Sequence, residues 1–169
     1  MRVYRVYDHD RPWARVVGFD PFDGEGAMHG SARWHRKGTR VAYAAANASL
    51  ALLEILVHVN PADFGEKTMV IAEVPDDAVE DVGPERLVQL LRDADDEAGE
   101  RASRAFGTTW ALEGRSLALR VPSLVVPHDR NVVLNPLHPR MGEVAEVARE
   151  RVSLDPRLRL SRLERMAGP

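Results

Sequence analysis

Cysteine is absent from this chain of 169 residues, which excludes disulfide bonds, thiol nucleophiles and thiolate metal sites. The sequence also lacks any run near the ~18 consecutive apolar residues that a membrane-spanning helix needs. Its first ten residues, MRVYRVYDHD, carry charges where a signal peptide has its apolar stretch. These absences predict a cytoplasmic protein that does not enter a membrane.

An excess of positive charge is missing as well. The formal net charge is −3, so no global field attracts nucleic acid, and we expect no direct nucleic-acid binding. The charge is unevenly spread, with an acidic run at 93–100 and four arginines at 157–165. Both runs are typical of solvated faces. A basic arm that contacts nucleic acid, or a tail that docks a partner, is the alternative for 157–165.

The composition that remains is that of a soluble globular protein. Hydrophobic residues make up 44% and charged residues 29% of the chain. The length suits one domain with its own core, so we predict a single domain over 1–169. Metal sites are not expected, because the six histidines show no paired zinc spacing. A site built from His35, His58 and His138 is the weak alternative.

Strand and helix patterns are interspersed without a regular βαβ rhythm, which predicts an α+β domain whose mixed or antiparallel sheet has flanking helices. A polar, glycine-rich segment over Asp8–Gly30 is expected to be irregular. The patterns predict strands at Val3–Val6, Arg40–Ala45, Met69–Val74, 117–121 and 131–135. They predict helices at Ala48–Val59, Pro84–Leu91 and Glu100–Leu112, and leave 142–152 open between strand and helix.

The helix predicted at Ala48–Val59 is the most informative element. Asn47 is its predicted N-cap, and Asn60-Pro61 marks its end. Its residues are apolar on nearly every side, which is typical of a buried helix. Only Glu54 and His58 interrupt this pattern, four residues apart on one face. An acid in such a helix is costly unless it is paired or used, so a structural ion pair with His58 or an arginine and a catalytic role are both open.

Other local patterns carry less information. Two neighbouring side chains suit recognition of a phosphate or a flat ring, because the Arg33 guanidinium donates paired hydrogen bonds and the Trp34 indole offers a face for stacking in Arg33-Trp34-His35. Trp34 could equally anchor the loop to the core. Gly24-Glu25-Gly26 begins like a dinucleotide fingerprint, but His29 occupies the third glycine position and no strand directly precedes it. Ser123 lacks the surrounding glycines of a nucleophile elbow, so we expect it to donate a hydrogen bond.

Read together and in order, several motifs resemble the RES domain, the toxin half of a bacterial toxin–antitoxin system. The resemblance extends over essentially the whole chain. Its pieces are Tyr4-Arg5-Val6, Ser31-Ala-Arg33-Trp34-His35-x-x-Gly38-Thr39, Val41-Ala-Tyr43-Ala-Ala, Ser49-Leu-Ala51-Leu-Leu-Glu54-Ile-Leu-Val-His58, Gly107-x-x-Trp110, Val121-Pro122-Ser123, Asn131-Val-Val-Leu-Asn135-Pro136-x-His138-Pro139 and Asp155-x-Arg157-Leu158.

The resemblance implies a fold like that of ADP-ribosyltransferases and an enzyme that uses NAD as substrate, without a bound cofactor. It implies cleavage of the nicotinamide–ribose bond, by phosphorolysis to ADP-ribose 1″-phosphate with inorganic phosphate as co-substrate, by hydrolysis, or by transfer to a protein. Such an activity would deplete NAD and arrest growth. The implied partner is a cognate antitoxin with a helix-turn-helix. A non-catalytic module that binds a partner is the alternative.

The resemblance also assigns residues. It implies that Glu54, Arg33 and Tyr43 are catalytic and that the dinucleotide is bound by a set of five residues. Glu54 would stabilise cationic ribose, Arg33 would neutralise phosphate, and Tyr43 would pack on the nicotinamide or ribose. The NAD-binding set implied by the resemblance is Arg5, Arg33, Tyr43, Ser123 and Asn135.

Overall fold

Seven strands form one sheet in the computed structural model, which describes residues 1–9, 12–83, 85–86, 90 and 97–159. The strands are β1 (Arg2–Tyr7), β2 (Ala42–Ala45), β3 (Glu66–Glu73), β4 (Val79–Asp81), β5 (Ala118–Pro122), β6 (Arg130–Leu134) and β7 (Ala145–Ser153). The helices are α1 (Ala48–Leu56), α2 (Glu97–Glu113) and α3 (Pro156–Arg159). Single turns of 3-10 helix occur at Pro12–Arg15, Glu25–Met28, Pro61–Asp63, Asp76–Ala78 and Met141–Glu143.

The strand order is β4-β5-β6-β2-β1-β3-β7. Every pair is antiparallel except β4 with β5, which confirms the predicted α+β class with a mixed sheet. The segment left open at 142–152 is the edge strand β7. The helix predicted at 84–91 and the charged runs at 93–100 and 157–165 lie largely outside the described residues.

The two faces of the sheet are buried by different parts of the chain. Strand alternation sends Val3 and Val70 to one face, which Phe22 from the irregular segment covers. On the other face, one cluster packs around α1 and the other around α2. Representative members are Met69 with Leu50 in the first cluster and Val133 with Trp110 in the second. No helix in the described residues is long and apolar enough to cross a membrane.

Helix α1 differs from its prediction in length and in burial. Asn47 caps it as predicted, with its side chain accepting from the Leu50 amide. The helix ends at Leu56, because the His58 amide already bonds the Ile55 carbonyl in a tighter turn. The expectation of burial on all sides was wrong. Leu50 and Ala51 are buried against β1 and β2, but Leu53 and Val57 are exposed, since α1 packs by one face only.

Strands β1 and β2 pair through a single residue couple, Tyr4 with Ala45. Beyond this couple the two strands no longer pair. Each is secured on its outer side instead, β1 by six pairs with β3 and β2 by four pairs with β6. The sheet therefore opens at its centre, directly beside α1, which begins three residues after β2.

A short turn beside this opening is docked on α2. Ala32 and His35 form an isolated antiparallel bridge with Arg33 and Trp34 at its tip. Arg104 of α2 donates from Nε to the Ala32 carbonyl at 3.1 Å. Further along α2, Gly107 lies so close that a Cβ atom there would be 2.1 Å from the Trp34 carbonyl oxygen. Glycine at 107 therefore permits the contact between helix and turn.

We expect Gly107→Ala to destabilise the fold. In an open helix this change gains about 1 kcal/mol of helix propensity, but here the new methyl group meets backbone that cannot move aside cheaply. The expected loss is about 1–3 kcal/mol in the free energy of unfolding, measured by urea denaturation. Gly142→Ala, where a Cβ atom meets nothing within 4 Å, is the matched control. Equal stability of the two variants would contradict the close approach.

Candidate active site

A cleft of about 320 Å³ occupies the opening between β1 and β2, with α1 along one side. Its size falls within the range of small-molecule sites, about 300–1,000 Å³. Most of the lining comes from these three elements. The lining residues are Tyr4, Arg5, Val6, Ala32, Tyr43, Ala44, Ala45, Ala51, Glu54, Ile55, His58 and Asn131.

Glu54 is the acidic side chain of this cleft, and neutral groups hold it. Ser123 Oγ donates to Glu54 Oε1 at 2.7 Å, and Asn131 Nδ2 donates to the same oxygen at 2.6 Å. No cation pairs with Glu54 among the described residues, so the structure contradicts the ion-pair alternative with His58 or an arginine. Both donors act on Oε1, and no group among the described residues donates a hydrogen bond to Oε2. The arrangement suits a carboxylate that faces developing positive charge.

Arg5 places a cation on the floor of the cleft. Its Nη1 donates to the Tyr43 carbonyl at 2.6 Å, across the gap between β1 and β2. Its Nε atom is shielded from solvent and has no hydrogen-bond partner in the described part of the chain. Burial lowers the pKa of Arg5, and the more distant carboxylates of Asp23 and Asp20 partly offset this effect. The positive charge that Arg5 holds beside the cleft favours the binding of an anion there.

Tyr43 lies beside Arg5 with its hydroxyl bonded to the preceding turn. His35 Nδ1 is 2.8 Å from the hydroxyl oxygen, and the Trp34 amide donates to it at 3.2 Å. His35 is itself buried, with Nε2 2.8 Å from the Gly30 carbonyl. Burial strongly raises the pKa of Tyr43, whereas it lowers the pKa of His35. Both side chains are therefore neutral near pH 7.

A second cavity of about 270 Å³ adjoins the first and shares Arg5, Tyr43 and Ala32 with it. The glycine-rich segment supplies most of its remaining wall, namely Gly24, Gly26, Ala27, Gly30 and Ser31, together with His35 and Val41. Gly24 has φ 70°, and a Cβ atom there would be 2.9 Å from the Val41 amide nitrogen. The segment predicted as irregular thus forms one wall of the site.

The predicted site residues are not all brought together. Arg5, Tyr43 and Glu54 line the cleft, and Ser123 supports Glu54 from a buried position behind it. Arg33 is half-buried at the tip of the turn, next to Ala32, and is not among the lining residues.

Asn135 is buried elsewhere. Its Nδ2 donates to the Ala111 carbonyl of α2 at 2.8 Å, and its Oδ1 accepts from the Leu137 amide. These contacts fix the end of β6 against α2. The structure therefore does not bring Asn135 to the cleft.

Two residues gain roles that sequence reasoning missed. Asn131 begins an apolar strand and gave no signal of its own, although the motif that contains it was recognised. The sequence pattern indicated His35 only as a neighbour of Arg33 and Trp34 and as a ligand of the alternative metal site, and not as a partner of Tyr43. Its buried bonds also remove it from the alternative metal site, and no cluster of three metal-ligating side chains occurs within the described ranges.

The neutrality of His35 predicts a dependence of stability on pH. Because the pKa of His35 in the folded state lies below the usual 6.5, the unfolded chain binds a proton at pH values where the folded chain does not. Stability is therefore lost as pH falls through 6.5 toward the lowered value. The groups facing the ring are the Tyr43 hydroxyl, the Arg104 guanidinium, which also lowers the pKa, and the carbonyls of Gly30 and Ala27.

Urea unfolding at about pH 7.5 and about pH 5.5 measures this loss. We expect His35→Asn to lose less free energy of unfolding between the two pH values than the unmodified protein does. The exposed His29, changed to Asn, is the control and should behave like the unmodified protein. An equal loss with and without His35 would contradict the proton assignment.

Known proteins are similar to this chain in sequence. The RES domain profile matches residues 2–155. The Prs ADP-ribosylating toxin of Sphingobium sp. (strain YBL2) is 35% identical over 127 residues, which cover 75% of this chain and 79% of that protein. Toxin Res of Pseudomonas putida (strain KT2440) is 31% identical over 147 residues, which cover 85% of this chain and 97% of that protein.

A solved structure has the same fold. In the crystal structure of the M. tuberculosis MbcT–MbcA toxin–antitoxin complex, one chain superposes with a TM-score of 0.70 at 19% identity, covering 90% of this chain and 84% of that one. At this identity the likeness concerns the fold. The extent of the profile match and the identity to the two toxins agree with the order of motifs along the sequence, and the chain belongs to the RES domain family.

Proposed function

We propose that this protein is the toxin of a toxin–antitoxin pair and that it cleaves the nicotinamide–ribose bond of NAD in the cleft between β1 and β2. The observation that carries the proposal is the Glu54 carboxylate, whose Oε1 is bound by Ser123 and Asn131 while Oε2 is left for a ligand. Membership of a family whose relatives are named toxins, one of them ADP-ribosylating, supports it.

The chemistry requires such a carboxylate. Departure of nicotinamide leaves positive charge on the ribose, as in glycoside cleavage, and the barrier falls when a fixed negative group faces that charge. Glu54 meets this need because two hydrogen bonds fix its direction before substrate arrives. It can stabilise the ribose cation directly or orient the 2″-hydroxyl.

Arg5 suits the pyrophosphate of NAD. Its guanidinium carries positive charge beside both cavities, which Arg5 lines, and its direction is set by the bond from Nη1 to the Tyr43 carbonyl. A pyrophosphate at this point would place one half of the dinucleotide in each cavity. Since Glu54 lines the first cavity, the nicotinamide ribose belongs there and the adenosine belongs beside the glycine-rich segment.

Tyr43 supplies an aromatic ring to both cavities. Such a ring can pack against nicotinamide or ribose and fix the angle at which the bond breaks. In our proposal Arg33, at the tip of the turn beside Ala32, supplies a second cation for the pyrophosphate or for an attacking phosphate.

The group that attacks the ribose defines the reaction. Inorganic phosphate is our first choice and gives ADP-ribose 1″-phosphate, with water second and a protein side chain third. Chromatography of the products with and without phosphate assigns the attacking group.

Transfer to a protein is the second candidate function, because the Sphingobium relative is named an ADP-ribosylating toxin. Incubation of radiolabelled NAD with a cell extract tests that transfer.

The partner in this proposal is an antitoxin with a helix-turn-helix, encoded beside the toxin gene. The solved structure with the same fold comes from a toxin–antitoxin complex, which supports a partner of this kind. Inspection of the adjacent reading frame tests the genetic arrangement. Co-expression of the neighbouring gene product should restore growth to cells that produce this chain.

Glu54→Gln should abolish NAD cleavage while leaving the fold intact. The amide oxygen can accept the same two hydrogen bonds, but the negative charge that faces the ribose is lost. We expect kcat for release of nicotinamide to fall by about 100-fold or more, measured by chromatography, and growth arrest to disappear.

The control is Glu150→Gln, on the exposed strand β7, which should cleave NAD like the unmodified protein. Undiminished cleavage by the Glu54→Gln variant would contradict the assigned role. If the unmodified protein leaves NAD intact with and without phosphate, the proposed reaction itself fails, and the partner-binding alternative gains support.

Ser123→Ala should lower the turnover of NAD, because it removes one of the two hydrogen bonds that hold the Glu54 carboxylate. Ser123 is buried and does not line the cleft, so loss of its hydroxyl leaves the substrate contacts in place but leaves the carboxylate held by Asn131 alone. We expect kcat to fall about tenfold with a smaller change in KM, and little further loss when Ser123→Ala is added to Glu54→Gln. Ser103→Ala, a buried serine on α2 that bonds helix carbonyls, is the matched control. Additive losses would exclude an action through Glu54.

A further inference from the structure

The side chains of Tyr43 and His35 form a chain of hydrogen bonds whose direction can be worked out. It runs from the Tyr43 hydroxyl to His35 Nδ1 at 2.8 Å, and from His35 Nε2 to the Gly30 carbonyl at 2.8 Å. A carbonyl oxygen only accepts, so Nε2 must carry the hydrogen. In a neutral imidazole the other nitrogen, Nδ1, is then an acceptor.

The same reasoning fixes the proton of Tyr43. Since Nδ1 of His35 accepts, the hydroxyl of Tyr43 must donate to it. The Trp34 amide donates to the hydroxyl oxygen from the other side at 3.2 Å. The only proton of the phenol is therefore directed to His35 Nδ1 in the turn 32–35 and is not offered to a ligand, although Tyr43 lines both cavities.

We infer that His35, as the tautomer protonated on Nε2, is a positioning residue that holds the Tyr43 ring in the cleft and withholds the Tyr43 hydroxyl from the reaction. The inference rests on the proposed function, because it concerns how Tyr43 meets NAD. It assigns Tyr43 a role in packing and orientation, and leaves Glu54 as the ionisable group of the cleft that acts on the ribose.

His35 also connects the two cavities. Its Nε2 is bonded to Gly30 in the glycine-rich wall of the second cavity, while its Nδ1 is bonded to Tyr43, which lines both cavities. The turn that carries His35 is itself held by Arg104 and Thr108 of α2, at 3.1 Å and 2.9 Å. Loss of the histidine should thus loosen the ring relative to the wall and weaken NAD binding more than it slows the chemical step.

The tautomer can be measured without NAD. Protein labelled with ¹⁵N in histidine gives long-range nitrogen–hydrogen correlations whose pattern shows which ring nitrogen is protonated. The His35 signals are those that vanish in the His35→Asn variant. We expect an Nε2-protonated ring near pH 7. A ring protonated on Nδ1, or on both nitrogens, would overturn the inference whatever the protein does to NAD.

Kinetics of NAD cleavage test the role. Tyr43→Phe keeps the ring and removes only the hydroxyl, so we expect KM to rise about tenfold while kcat falls less than about threefold. His35→Asn offers an amide oxygen near the place of Nδ1 and should retain the bond to Tyr43. His35→Gln offers an amide nitrogen near the place of Nε2 and should lose that bond, with KM raised about tenfold.

The double variant of Tyr43→Phe with His35→Gln distinguishes a positioning role of His35, exerted through Tyr43, from a general contribution of His35 to the stability of the fold. Added to Tyr43→Phe, His35→Gln should raise KM by less than about twofold, because the contact it breaks is already gone. A fall in kcat of about 100-fold or more in Tyr43→Phe would show that the hydroxyl takes part in the reaction and would overturn the inference. Independent, multiplying effects of the two changes, or equal effects of Asn and Gln at 35, would also overturn it.

Discussion

The site depends on how little β1 and β2 are paired. One residue couple, Tyr4 with Ala45, joins them at the centre of the sheet, whereas β3 and β6 secure each strand on its far side. The sheet can therefore open locally without coming apart. Arg5 spans the opening with its side chain, because its guanidinium bonds the Tyr43 carbonyl across the gap. A continuous ladder at this point would close the cleft and leave Glu54 facing a filled surface.

Around this opening, the protein uses one part of each polar side chain for support and leaves the other part for a ligand. Glu54 is bound through Oε1, Arg5 through Nη1 and Tyr43 through its hydroxyl. The parts that remain are a carboxylate oxygen, the positive charge of the guanidinium and an aromatic ring. Each is fixed in direction before a ligand arrives, which is the condition under which electrostatic groups lower a barrier most effectively.

The α+β class, the family and the most informative acid could be predicted from the sequence. Glu54 was conspicuous because it interrupts an apolar helix, although the expected burial of that helix on all sides was wrong. Local pattern cannot show that one face of α1 packs on the sheet while Leu53 and Val57 meet solvent.

The contacts that assemble the site escaped prediction for a related reason. Asn131 and Glu54 are 77 positions apart, and Arg5 and Tyr43 are 38 apart. Such pairs meet only through the order of strands in the sheet. Asn135 illustrates the opposite error, in which a residue is assigned to the site but lies outside it. It belongs to a recognised motif, yet its side chain holds β6 against α2.

A crystal structure of the Glu54→Gln variant with NAD bound tests the central claim most directly, since this variant should bind the dinucleotide without cleaving it. The account predicts that the anomeric carbon of the nicotinamide ribose lies beside the side chain of residue 54. It also predicts that the pyrophosphate contacts Arg5 and that the Tyr43 ring packs on the nicotinamide or its ribose. NAD bound outside this cleft, or bound with its adenosine beside residue 54, would contradict it.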